Sequence, residues 1–222
     1  MIFPEQIKNI IKSDSVLEIG PGASPFWRSD VYLDRNFSKE EEKKQRGVRD
    51  QIRYNKPIFY YDGKEFPFKN KEFDYIICSH VIEHVEDENI DIFFSEMQRV
   101  AKKGYIEVPT LFYEYLFNFH VHKWMINIKD NQIILMNKKY FSFSLVNDVF
   151  YNLLKHGFKN KRSNILNDFK RLFFEGVEWE NTLDYKIVKN ISELLNNDDI
   201  NKYLDYFKNI NRYKEALGKK II

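Results

Sequence analysis

Four of the five histidines fall in two close pairs, His80 with His84 and His120 with His122. Imidazole titrates near pH 6.5, which suits it to moving a proton close to neutrality. His80 and His84 stand four residues apart, so a helix would set both on one face. Packing is the plainer reading of each: a hydrogen-bonded ring that shapes a site without touching substrate. Glu107, closing a β-like run, and His122 are further candidates for proton transfer or for orienting a histidine. His120-x-His122 could offer two imidazoles to a metal, but no third ligand stands nearby in the sequence, and no metal centre is expected.

A second constellation lies upstream, in Glu18-Ile19-Gly20-Pro21-Gly22 at the end of an apolar run. Its glycines permit a tight turn and let backbone approach a ligand closely. A dinucleotide diphosphate wants a third glycine and no carboxylate facing its phosphates. Here Pro25 takes the third place and Glu18 precedes the pair. A sulfonium nucleoside that carries an amino acid, with an ammonium and no phosphate, suits such a turn better. Asp34 closes the next run, where a carboxylate can accept both ribose hydroxyls. Asp62-Gly63 closes the third, where it can accept an adenine amino proton.

These residues need strands behind them, and β-like runs lie at 15–19, 31–34, 57–61, 73–78 and 104–108. With a helix predicted over 88–102, the alternation is that of a parallel α/β sheet. The second half is less regular. Residues 113–120 are dense in aromatics, and 121–128 with 132–136 read as a hairpin around Asp130-Asn131. Helices are expected over 140–156 and 200–217, and the runs 172–179 and 185–188 as the last two strands of the sheet. With no Pro/Gly/Ser linker, 1–222 reads as one domain in which 111–139 is a lid or hairpin insertion on the acceptor side.

Composition narrows the partners. The 35 Lys and Arg against 33 Asp and Glu leave a net charge of +2 and no basic stripe, which argues against nucleic acid. A single cysteine gives no disulfide framework and points to a reduced, cytoplasmic compartment. The first 14 residues lack a secretory pattern, and no apolar run approaches the ~18 residues of a membrane span. The oligomeric state is not legible. Some of the 20 Phe and 14 Tyr are expected to line a ligand cavity, among them Tyr113, Phe117 and Trp124 as stacking surfaces, with core filling as the alternative.

Taken in order, Glu18-Ile19-Gly20-Pro21-Gly22, Asp34, Asp62 with Phe66-Pro67-Phe68, the stretch Phe73 to Asp87 and Glu96 to Val100 resemble class I S-adenosylmethionine (SAM)-dependent methyltransferases of the methyltransferase domain 11 type. The resemblance covers about Ser15 to Pro109. It implies a Rossmann-like sheet, mostly parallel with a final antiparallel strand, helices on both faces, and SAM as cofactor with S-adenosylhomocysteine (SAH) as product. It implies that Glu18, Gly20, Pro21 and Gly22 hold the methionine part, Asp34 the ribose, and Asp62 with Gly63 the adenine. Ser79 and His80 would stand where the methyl group meets its acceptor. One departure is visible: only Ala23 to Asp30 separates the glycine turn from the next run, too short for the usual first helix. Tyr105 to Thr110, Tyr113-Glu114 and His122-Lys123-Trp124 are similar to bacterial methyltransferases of surface-polysaccharide (capsule) biosynthesis. That likeness implies O-methylation of a small polar acceptor such as a sugar or phosphorylated glycan precursor. N-methylation of a small metabolite, an NAD-dependent oxidoreductase on a similar fold, and a catalytically silent scaffold stand as alternatives.

Overall fold

Strand β1 (Val16–Ile19) is buried at every position, as a central strand covered on both faces has to be. It pairs in parallel with β2 (Val31–Arg35) on one side and β4 (Phe73–Ser79) on the other. The computed structural model describes residues 1–38, 40–41, 54–145, 147, 149, 170–201 and 205. Beyond β2 lies β3 (Ile58–Tyr61), and beyond β4 lies β5 (Ala101–Pro109), both parallel to their neighbours. The β4–β5 register sets Ser79 against Glu107, side by side at the carboxyl ends of their strands. Counting the other strands of the chain in order, β8 (Phe174–Glu180) closes the sheet antiparallel to β5, giving the order β3-β2-β1-β4-β5-β8.

Helix α1 (Ile90–Val100) buries Ile90, Phe93, Phe94, Met97 and Val100, the stripe its periodicity predicts. It ends sooner than expected because Ala101 is already extended and opens β5. A second helix, α2 (Leu111–Phe117), takes up most of the aromatic-rich segment and ends at Asn118, whose φ of 41° is left-handed.

Strands β6 (Trp124–Lys129) and β7 (Gln132–Asn137) form the expected hairpin. Asp130 and Asn131 both have positive φ, 50° and 64°, as a two-residue turn matched to strand twist requires. The hairpin packs into the body of the molecule. Trp124, Ile126, Ile128, Ile133 and Leu135 share one apolar core with Phe93, Phe94 and Met97. The expectation for 185–188 needs correction: β9 (Tyr185–Val188) runs parallel to β7 in a separate three-stranded sheet, β6-β7-β9. Asn181, at φ 63°, turns the chain just after β8, Leu183 enters the core, and β9 is delivered to the open edge of the hairpin. Covering that edge satisfies a row of backbone groups that would otherwise be unpaired. The helices expected over 140–156 and 200–217 lie largely outside the described residues.

Trp124 joins the two sheets, its indole N–H donating to the Val85 carbonyl at 2.7 Å. Trp124→Ala should lower stability by about 3–5 kcal/mol in urea unfolding. A loss under about 1 kcal/mol would show that the hairpin is not part of the core.

Candidate active site at the strand tips

A cavity of about 380 Å³ opens at the carboxyl ends of β1 to β4, the place where open α/β sheets receive ligands. Gly20, Pro21 and Gly22 form one wall, Asp34, Tyr61 and Gly63 another, and Ser79, His80 and His84 a third. Gly20 has φ +61°, and a Cβ there would stand 2.5 Å from Val81 Cγ2. Gly22 is also left-handed, at φ +55°, where a Cβ would make only an ordinary contact, 3.9 Å from the Gly20 carbonyl oxygen. Both glycines are thus required by the turn, and the backbone they expose faces the cavity. Asp34 is buried at the tip of β2 and accepts from the Arg35 N–H at 2.9 Å. Arg35 and Phe37, with the guanidinium 5.3 Å from the ring centre, also line the wall.

Four expected site residues, Glu18, Asp62, Glu107 and His122, do not line the cavity. Glu18 does not line the cavity; it is buried behind it, accepting from the Phe26 N–H at 2.9 Å and the Ser29 hydroxyl at 2.7 Å. Burial raises its pKa against those two hydrogen bonds. The cause is the short 23–30 connection: with no helix to satisfy its donors, the loop folds around the carboxylate. Asp62 is exposed and accepts from the Lys64 N–H at 3.0 Å, the local turn a short acid favours ahead of a glycine.

Glu107 also stays out of the cavity. Its carboxylate is fully buried and accepts from the backbone N–H groups of Ile2 (2.6 Å) and Phe3 (2.8 Å), the Ser79 hydroxyl (2.9 Å) and the Tyr105 hydroxyl (3.0 Å). It is a positioning group: it fastens the first residues of the chain across the strand tips, where Met1 reaches the cavity.

His80 follows β4 in a left-handed conformation, φ 58°, unusual for a residue with a side chain and found at sites that need a particular geometry. Its side chain is 28% exposed, toward the cavity. Nε2 lies 3.1 Å from Glu107 and Nδ1 3.4 Å from Glu83, ion-pair distances at which Nε2 makes no well-aligned hydrogen bond. Burial pulls its pKa down, but the two carboxylates prevail and raise it to about 9. At neutral pH His80 is therefore an imidazolium, a donor and not a base. The left-handed bend also corrects the helical expectation for His80 and His84: only a 3-10 turn, Ile82–His84, follows, though both rings reach the cavity. Burial carries the His84 pKa down to about 4, with His122 adding and Glu83 opposing, so this ring is neutral at pH 7.

His122 stands behind His84, their ring centres 4.6 Å apart and nearly perpendicular. Its Nδ1 is bonded to the buried carboxylate of Glu114, which also accepts from Lys138 Nζ at 3.0 Å. Glu83 and Glu114 are the site groups that sequence reasoning passed over; Glu83 stood in view, between the histidines of His80-Val81-Ile82-Glu83-His84. His120 is exposed. Arg28 is engaged by Asp30 and two backbone carbonyls, and Lys123 lies 3.4 Å from Glu86. Tyr113, Phe117 and Trp124 are buried among other side chains, so the stacking role considered for them gives way to core filling.

Residues 29–106 match the family model described as a methyltransferase domain, Methyltransf_11. The uncharacterized protein MJ1123 of Methanocaldococcus jannaschii is 30% identical over 103 residues, 45% of this chain and 45% of its own. The chain thus spans under half the length of that curated relative. Among solved structures, the PH0226 protein of Pyrococcus horikoshii OT3 is 20% identical, with 68% of this chain and 77% of that one covered and a TM-score of 0.39. A SAM-dependent methyltransferase of Thermotoga maritima is 21% identical, with 48% and 49% covered and a TM-score of 0.33. Among the described residues no helix is long and apolar enough to cross a membrane. The strand order, the paired glycines at the strand-tip cavity and the family match together make residues 29–106 similar to a methyltransferase domain.

Proposed function

We propose that the chain methylates an oxygen of a small polar acceptor, such as a sugar or phosphorylated precursor of a surface polysaccharide, using SAM. One observation carries this reading: a single cavity is lined by Gly20, Gly22 and Asp34 and also by His80 and His84. SAM suits the first three. Gly20 and Gly22 make a left-handed turn at the cavity, packed so closely that a Cβ at Gly20 would strike Val81, and Asp34 is an acid at a strand tip, fit for ribose hydroxyls. When bound, SAM supplies a methyl group on a positive sulfur, already activated for in-line displacement.

What remains for the protein is to align the acceptor, exclude water and manage one proton. Gly20 to Gly22 would hold the methionine part, Asp34 the ribose, and Gly63 with Tyr61 the base. Imidazolium His80, fixed by Glu107 and Glu83, would donate a hydrogen bond to an acceptor oxygen or phosphate. Neutral His84 faces the same space and can take a proton. The turn does not suit a dinucleotide, since Pro25 occupies the third glycine place.

Calorimetry with SAH and with NADH, followed by transfer of labelled methyl from SAM to a set of nucleotide sugars, tests the proposal. SAH should bind at micromolar affinity or better, NADH not at all, and label should appear on a sugar hydroxyl. Binding of NADH without SAH would overturn it. Label on amines alone would replace oxygen with nitrogen as the acceptor.

A further inference from the structure

Behind the His84 wall, a buried group of side chains has the composition of a metal site. Glu83, His84 and His122 each offer one ligand atom, and these atoms lie within 4.8 Å of one another. Glu83 is only 1% exposed, and although His80 Nδ1 stands 3.4 Å from one of its oxygens, neither oxygen has a well-aligned hydrogen bond. A buried carboxylate is expensive unless cations or donors meet it, and with His80 on one side Glu83 still has an oxygen that a metal ion could take. His84 Nδ1 is likewise buried and unpartnered.

The far side of each ring is anchored. His122 directs Nδ1 to Glu114, which Lys138 steadies in turn, and this leaves Nε2 for a ligand bond. His84 is held by the Val121 backbone, which leaves Nδ1. Histidines that bind metals characteristically give their other ring nitrogen to a carboxylate or a backbone carbonyl, which fixes tautomer and orientation. Two imidazoles and one carboxylate form the open, three-ligand set of catalytic zinc, with a position left over. Tetrahedral bonds of ~2.0–2.1 Å put ligand atoms about 3.4 Å apart. Closing from 4.8 Å therefore needs side-chain adjustments and no movement of strands.

We propose that Glu83, His84 and His122 bind a divalent transition-metal ion, zinc by its ligand set, whose open position receives the acceptor hydroxyl beside the SAM cavity. The role of the ion rests on the methyltransferase reading; the ion site does not. With the ion in place His84 serves as a ligand and no longer as the base, and the bound hydroxyl loses its proton to solvent more readily. Its oxygen lone pair forms the O–C bond as the C–S bond breaks, and that bonding pair returns to sulfur. The products are an ether, a neutral thioether and one released proton. His120, the partner weighed for His122 in the sequence, takes no part.

The test uses tag-free, chelator-treated chain titrated with Co²⁺, whose visible absorption reports coordination, then with Zn²⁺ as competitor, and SAH affinity is measured on the same samples. The expected result is one equivalent of Co²⁺, displaced by Zn²⁺. Glu83→Gln and His122→Ala should weaken Co²⁺ more than Glu114→Gln, for which roughly 10- to 100-fold is expected. SAH affinity should change little in all three. Circular dichroism checks folding; should Glu83→Gln not fold, His122→Ala and Glu114→Gln decide. Wild-type chain that binds SAH but no stoichiometric Co²⁺, or variants that bind Co²⁺ as wild type does, would overturn the site and leave the methyltransferase reading intact. Co²⁺ binding without SAH binding would support the ion site and defeat its role in methyl transfer.

Discussion

Asp34→Ala should weaken SAH binding roughly 10- to 150-fold, the equivalent of losing hydrogen bonds to a charged acceptor worth about 1.5–3 kcal/mol. Asp34 is buried at the tip of β2 on the cavity wall, where it accepts from the neighbouring Arg35 N–H. Removal of the carboxylate would leave ribose hydroxyls desolvated with nothing to receive them, and that asymmetry makes the expected loss large. Asp34→Asn keeps the shape and one acceptor oxygen, so it should fall between wild type and Ala. Calorimetry with SAH measures the affinities, and thermal unfolding without ligand separates a binding defect from a folding one. Equal affinity in wild type and Asp34→Ala would take Asp34 out of the site.

The parts of the fold that were legible in the sequence are those in which local chemistry and tertiary structure ask for the same thing. β1 and β4 are mostly apolar, broken only by Glu18, Asp74 and Ser79, because they are covered on both faces, and the Asp130-Asn131 turn has residues that tolerate the left-handed backbone it uses. The pairing of β9 was not legible, since a four-residue strand of Tyr185, Lys186, Ile187 and Val188 carries no mark of the edge it will join.

In the site, Gly20, Gly22 and Asp34 could be placed because backbone freedom and strand ends are local properties. Glu18 could not, because its role depends on what the missing first helix leaves unsatisfied eight to eleven residues later. Glu83 reads in the sequence as one acid in an acidic stretch. Only the packing of the hairpin against the 3-10 turn brings His122 beside it, and Lys123 N–H donating to the Glu83 carbonyl at 2.6 Å fixes that approach.

Glu107→Gln should destabilise the chain at pH 7 and lose most of that deficit in acid. In the folded chain, burial raises the Glu107 pKa, but the facing His80 and the Phe3 and Ile2 N–H groups outweigh it and bring the value from 4.5 to about 2. A carboxyl with a depressed folded pKa stabilises the fold above its unfolded value, and that contribution fades as pH falls from about 4.5 through about 2. Its size is on the order of 3 kcal/mol, and the elevated pKa of His80 is the same attraction seen from the other partner, so it is counted once. Glutamine presents an NH₂ to a pocket whose other members are donors, leaving at least one of Ile2, Phe3, Ser79 or Tyr105 unpaired. Denaturant midpoints of wild type and Glu107→Gln, followed from pH 7 to pH 2.5, should therefore draw together steadily below about pH 4.5, with most of the gap gone at pH 2.5. Because Glu107 also fastens Ile2 and Phe3, the variant should lose SAH affinity at neutral pH as Met1 leaves the cavity wall. A stability gap that stays constant with pH would mean that the charge on Glu107 does not hold the chain's first residues over the site.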